Sequence, residues 1–182
     1  IGGGTEISYN DVVRWIYDAL YQMNVECDFV SPEAENLDDY KMLILPALYC
    51  VPEETLLRIR SFTEKGGCLV GTFKTGYTNE NVKVYHDSQP HILSECFGIM
   101  YNQFTYPEKT AETYLEGRLC GREDKEKVKV FLECIQPKGA ETVLGYVHDN
   151  WGQYAAVTEN TFGKGKAVYL GCMFSSELLK KL

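Results

Sequence analysis

The residues best suited to covalent chemistry in this chain are seven cysteines: Cys27, Cys50, Cys68, Cys96, Cys120, Cys134 and Cys172. A thiol becomes a nucleophile when it sits on a sharp turn after a buried strand with a histidine base at hand. Cys50 follows the apolar run 41–46 through Ala47-Leu48-Tyr49, which makes it the best-placed thiol. No His-x-Glu pair occurs downstream to activate it. The turn after the second apolar run, Phe73-Lys74-Thr75-Gly76, is the other natural nucleophile position, yet it holds no Cys and no G-x-S-x-G. No two cysteines have C-x-x-C spacing, which leaves zinc sites and thioredoxin-like motifs unsupported. Cys27, Cys68, Cys134 and Cys172 lie in or beside apolar runs, where a free thiol packs as a small hydrophobe. That usage predicts a reducing, cytoplasmic compartment rather than a disulfide scaffold.

The three histidines are His86, His91 and His148. His91 follows Pro90 at the start of a short helix, a packing or hydrogen-bonding position. His148 and Asp149 are neighbours, and adjacent strand residues point to opposite faces, so they make a poor metal pair. Carboxylate pairs recur at Glu33/Glu35, Asp38/Asp39, Glu53/Glu54 and Asp124/Glu126. A glycosidase needs two carboxyl groups about 5 to 10 Å apart across a cleft, whereas these pairs read as solvated surface. Gly163-Lys164-Gly165-Lys166 lacks the G-x-x-x-x-G-K-[ST] spacing of a phosphate loop and reads as a hairpin turn. Gly2-Gly3-Gly4 follows no strand and is equally weak as a dinucleotide signal. The sequence thus declares no catalytic residue, no metal ligand and no cofactor.

The elements that would position these groups follow from periodicity. Val12, Val13, Ile16, Leu20 and Met23 fall on one face of a helix over 9–23, capped by Ser8 or Asn10. Val25–Val30 alternates enough for a strand. The run 41–46 reads as a strand buried on both faces. Pro52, Glu53 and Glu54 open a helix that Gly66-Gly67 stops, and 68–73 is another buried strand. This strand–helix–strand unit demands parallel pairing. A short helix over 90–98 and a strand over 99–104 follow. Segments near 113–119, 128–135, 142–147, 155–158 and 167–170 read as antiparallel strands, with a last helix from about Ser175.

The expected fold is therefore α/β, a mostly parallel sheet flanked by helices with appended antiparallel strands, in one domain over 1–182. The strand that normally opens such a sheet is not evident before the first helix. The chain has 182 residues, of which 18 are basic and 26 acidic, for a net charge of −8. Such a chain would repel phosphate backbones, so nucleic acid is not an expected partner. No apolar run approaches the roughly 18 residues of a membrane span, and no signal peptide is visible. Opening without Met in a loop-like stretch and ending inside a helix, it reads as a piece of a longer protein. Tyr40, Tyr49, Tyr77, Tyr85 and Tyr101 fall in or beside loops, suiting either core or interface.

Four stretches carry a resemblance. They are Trp15–Leu20 followed by Asn24–Val30; Asp39–Tyr49; Phe62–Gly67 leading to Phe73-Lys74-Thr75-Gly76 and Asn79-Glu80-Asn81; and Asn160–Gly171. In order and spacing, from about Asp11 to Gly171, they resemble the trimerisation domain of glycoside hydrolase family 42, the bacterial β-galactosidases. The resemblance implies a class I glutamine amidotransferase-like (flavodoxin-like) three-layer sandwich without the amidotransferase nucleophile. It implies a preceding TIM barrel that carries both catalytic glutamates, and self-association as a homotrimer. The segment 115–127 is unusually charged and matches no motif of that family. Two other readings stand beside this one: a free-standing amidotransferase-like hydrolase with Cys50 as nucleophile, and a carbohydrate-binding module using loop aromatics.

Overall fold

A computed structural model describes residues 7–106, 112–124 and 126–182, with the backbone alone for Arg122. The run Gly2-Gly3-Gly4 lies outside the described residues. Helix α1 (Tyr9–Gln22) buries Val12, Trp15, Ile16 and Ala19, the i, i+3, i+4, i+7 stripe of an amphipathic helix. Ser8 starts it: its backbone N–H and its hydroxyl both donate to the Asp11 carboxylate at 2.7 Å. These donors hold the Asp11 carboxyl below its usual range. Strand β1 (Met42–Leu45) leads to helix α2 (Glu53–Lys65), which opens after Pro52 and closes at Gly66 with φ 127°, as the sequence predicts. Strand β2 (Cys68–Thr72) follows.

Past β2 come helix α3 (Ser94–Phe97) and the short strands β3 (Ile99–Met100) and β4 (Phe104–Thr105). The second half holds β5 (Tyr114–Gly117), β6 (Glu126–Lys127), β7 (Val130–Glu133) and β8 (Gln136–Pro137). It continues with β9 (Glu141–Val147), β10 (Ala155–Phe162), β11 (Gly165–Leu170) and β12 (Cys172–Met173). Helix α4 (Ser176–Leu179) ends the series, its start capped by the Ser175 hydroxyl, which accepts from Leu178 N–H at 3.1 Å.

The main sheet runs β1-β2-β11-β10-β9-β5-β6. The expected parallel pairing of β1 with β2 is present, with Leu43 opposite Leu69, and β2 pairs parallel with β11. All the remaining pairs are antiparallel, so the sheet is mixed and its antiparallel strands continue the parallel ones rather than standing apart. Side chains along each strand alternate between the two faces of the sheet, and helices cover both. Leu43, Leu45, Leu69, Ala167 and Tyr169 pack with Leu56, Ile59 and Phe62 of α2. Ile44, Val70, Val168 and Leu170 face α1 and α4. Each fully buried aliphatic or aromatic side chain here contributes roughly 1.5–3 kcal/mol.

Two expectations need correction. Val25–Val30 forms no strand and its side chains are exposed, Phe29 by 75%. A strand needs a neighbour to take its backbone groups, and among the described residues none pairs with this segment. β1 lies at the sheet edge with Met42 47% exposed, so only its later residues are covered on both faces, Leu43 and Leu45 by α2 and Ile44 by the opposite layer.

The Gly163-Lys164-Gly165-Lys166 stretch is the hairpin turn between β10 and β11, with Phe162 opposite Gly165. Gly163 takes φ 58°, the left-handed value that two-residue hairpin loops need at their first position. The turn rests on the C-terminal end of α2. Lys164 N–H donates to the Glu64 carbonyl at 3.0 Å and Lys166 N–H to the Gly67 carbonyl at 3.3 Å. The hairpin thereby satisfies a carbonyl that the helix end leaves orphaned.

Candidate functional site

In open α/β sheets, ligands and nucleophiles gather outside the carboxyl ends of the parallel strands. Here two threonines lock the turns after β1 and β2 together at that end. Thr72 Oγ1 accepts from Ala47 N–H at 2.7 Å, and Thr75 Oγ1 donates to the Leu45 carbonyl at 3.2 Å. Immediately after β2 the chain turns sharply, and Lys74 adopts φ 63°. A non-glycine residue in that region is uncommon and marks a site held by its surroundings.

The lysine is held by rings. Its Nζ lies 4.6 Å from the Phe131 ring centre, 4.9 Å from Phe104, 5.7 Å from Tyr49 and 5.8 Å from Tyr77. Partial burial pulls its ammonium below the usual lysine range, and the nearby Glu133 carboxylate opposes that shift. Ring faces attract the cation as well. Glu133 is wholly buried at the end of β7. It accepts from Lys74 N–H at 2.7 Å and from the Tyr169 hydroxyl at 2.8 Å. Burial pushes its carboxyl up to about 7, against the pull of those donors. Tyr101's hydroxyl is buried within electrostatic reach of the carboxylate but outside hydrogen-bonding geometry.

This turn cannot run acyl transfer as it stands. Position 74 offers an amine among rings, Thr75 is buried with its hydroxyl spent on a backbone carbonyl, and Glu133 is sealed from any substrate. Sequence reasoning saw that the turn lacks Cys and Ser but missed Glu133. Its only signal was one carboxylate inside the apolar run Phe131-Leu132-Glu133-Cys134-Ile135.

The other candidates stay apart. Cys50 is exposed, and its Sγ donates to the Asn79 carbonyl at 3.0 Å rather than to a histidine. His86 is exposed. His91 stacks on Tyr85 with ring centres 3.7 Å apart and bonds Asp87 through Nδ1 at 2.7 Å, a packing role at the helix start. His148 lies in the β9–β10 loop, where Nδ1 accepts from Asn150 N–H at 3.0 Å. The pairs Glu33/Glu35, Asp38/Asp39 and Glu53/Glu54 are exposed, as is Asp124, while Glu126 accepts from the Ser175 N–H and hydroxyl. Among the described residues no group of three or more His, Cys, Asp or Glu could hold a metal ion, and no helix is long and apolar enough to cross a membrane.

The seven thiols are all free. Cys96 is pushed up to about 12 and Cys134 to about 11 by burial. A thiol-specific chromogenic reagent at neutral pH should therefore modify Cys27 and Cys50 rapidly in the folded chain. Cys96, Cys120 and Cys172 should react only on unfolding. Fast modification of Cys96 or Cys172 would show that the packing described above is wrong.

Comparison with known proteins gives a consistent result. The chain is 32% identical over 180 residues to the β-galactosidase BgaP of Planococcus sp. (strain L4), covering 98% of this chain and 26% of that protein. It is 30% identical over 178 residues to the β-galactosidase BgaB of Geobacillus sp. (strain Y412MC61), covering 97% of this chain and 26% of the relative. The crystal structure of a β-galactosidase from Bacillus circulans sp. alkalophilus superimposes with a TM-score of 0.89 at 27% identity, over 99% of this chain and 27% of that one. The chain thus spans about a quarter of the length of the curated relatives it matches. A family model described as the β-galactosidase trimerisation domain matches residues 3–182. With a sharp turn that holds no nucleophile and a family match across nearly its whole length, the chain belongs to the β-galactosidase trimerisation domain family.

Proposed function

We propose that this chain serves a β-galactosidase as its non-catalytic assembly module, three copies packing together. The enzyme it serves hydrolyses terminal β-galactosides, with both catalytic carboxylates on a TIM barrel outside these residues. We read 1–182 as one folding unit of the flavodoxin-like, class I glutamine amidotransferase-like kind, acting in the cytoplasm. The left-handed turn after β2 carries this reading: it has the shape of a nucleophile turn, but Lys74 fills it, and its carboxylate neighbour is closed to substrate. The helix-linked parallel strands support the fold, and seven free thiols support a reducing compartment.

Light scattering on the purified chain across a wide concentration range tests the assembly role, with the mass of three chains expected. A monomer at every concentration overturns self-association by this chain. In parallel, a chromogenic β-galactoside should remain intact with the chain alone; hydrolysis would overturn the non-catalytic role.

A further inference from the structure

Beside the lysine cage, the loop after β3, strand β4 and the β9–β10 loop border an open hollow of about 420 Å³ lined by Asn102, Gln103, Phe104, Thr105, Cys134 and Trp151. That volume lies within the range of small-molecule sites. None of the lining side chains is charged, although the chain as a whole carries −8. The hollow therefore suits a neutral ligand and offers a phosphate or carboxylate no cationic side chain in its lining.

The lining divides into flat apolar faces and unspent polar groups. Phe104 exposes 42% of its surface and Trp151 is half-buried. Among the described residues, the side-chain amides of Asn102 and Gln103 and the indole N–H of Trp151 have no hydrogen-bond partner. Each amide can donate and accept, which matches a pair of neighbouring hydroxyls; the ring faces match the C–H face of a sugar.

The rim is fixed by backbone bonds, so little ordering is left for binding to cost. Cys134 N–H donates to the Gln103 carbonyl at 3.0 Å, and Phe104 pairs with Glu133. Around Trp151, Gly152 N–H donates to the His148 carbonyl at 2.9 Å and Tyr154 N–H to the Trp151 carbonyl at 3.0 Å, while the His148 and Trp151 rings stack at 6.0 Å.

We propose that this hollow binds a single neutral pyranose, with its C–H face on the Trp151 and Phe104 rings and its hydroxyls on the Asn102 and Gln103 amides. An open hollow of this kind holds a ligand weakly, with a dissociation constant on the order of 1 mM. The proposal does not rest on the assembly role proposed above.

The two tryptophans make the test direct, because Trp15 is sealed in the core at 5% exposure and Trp151 is not. Titrating the chain with galactose, and separately with glucose, should change the fluorescence saturably. Amide NMR shifts should cluster at 102–105 and around Trp151. Asn102→Ala and Gln103→Ala remove exposed side chains, so both variants should fold, and each should weaken binding about tenfold. Trp151→Ala should abolish the fluorescence response and the NMR shifts alike. No saturable change up to roughly a hundred times the expected constant overturns the proposal. So does an equal response to glycerol, or a set of NMR shifts away from the hollow. A preference between the two sugars bears on the galactosidase reading alone, and light scattering tests assembly independently.

Discussion

Replacing Glu133 with alanine should destabilise the chain by about 3 kcal/mol, enough to lower the melting temperature by roughly 6–12 °C. The cause is what the carboxylate leaves behind. Lys74 N–H and the Tyr169 hydroxyl both donate to it in a fully buried place, and neither has water to turn to. A cavity adds to the cost. The same residue sets a pH dependence. Its carboxyl titrates near 7 in the fold against an ordinary glutamate value of 4.5. Below about 4.5 both folded and unfolded chains hold the proton. Between 4.5 and 7 only the folded chain keeps it, so stability falls as pH rises through that window. Above 7 the loss amounts to about 3 kcal/mol. Glu133→Gln should remove this component. Thermal melts at pH 5 and pH 8 should show a steeper fall for the parent chain than for the Gln variant. Equal falls would mean that the carboxyl is not perturbed as described.

Gly165→Ala should cost more than about 3 kcal/mol and could prevent folding at moderate temperature. A Cβ at this position would stand 2.1 Å from the Thr63 carbonyl oxygen and 2.4 Å from that of Gly67. Both contacts set the new Cβ, whose position the backbone fixes, against backbone oxygens, so no rotamer change relieves them. The β10–β11 hairpin would have to lift from α2, freeing the Glu64 carbonyl and shifting the strand beside β2. Gly145→Ala in β9 is the matching control. Its added Cβ would meet nothing nearer than the Tyr154 carbonyl oxygen at 3.9 Å, so stability should change by less than about 1 kcal/mol. Urea midpoints with unchanged slopes would measure both variants on one scale. A Gly165→Ala variant as stable as the parent would show that the hairpin does not seat on the helix.

Much of the architecture was legible because its signals are local. Val12 and Ile16 of the predicted stripe lie on the buried face of α1, where Trp15 and Ala19 complete it while Met23 is exposed; Pro52 and Gly66 bound α2, and Gly163 marks the hairpin. What the sequence hid depends on neighbours far along the chain. Val25–Val30 has strand alternation but no partner, and β1 looks central by composition while lying at an edge. The site was half legible. The absence of Cys and Ser after β2 could be read directly, and the exposed carboxylate pairs were recognised as surface. Glu133 could not be found that way, because only the fold brings it beneath Lys74. Nor could the hollow, since Asn102 and Trp151 meet only when the β3–β4 and β9–β10 loops come together.

The pairing of β2 with β11 has a kinetic side. Leu69 lies opposite Ala167, so more than half of the chain's length is looped out between two neighbouring strands near the β1 edge of the sheet. Closing so long a loop must precede the contacts that reward it, which makes such folds slow. On the ribosome, β1, α2 and β2 emerge early but have only one another to pair with until Leu170 has been made. Until then the inner edge of β2 stays open. Completion of the sheet therefore waits for nearly the entire chain, and shorter pieces would present an unpaired apolar strand to whatever chain lies nearby.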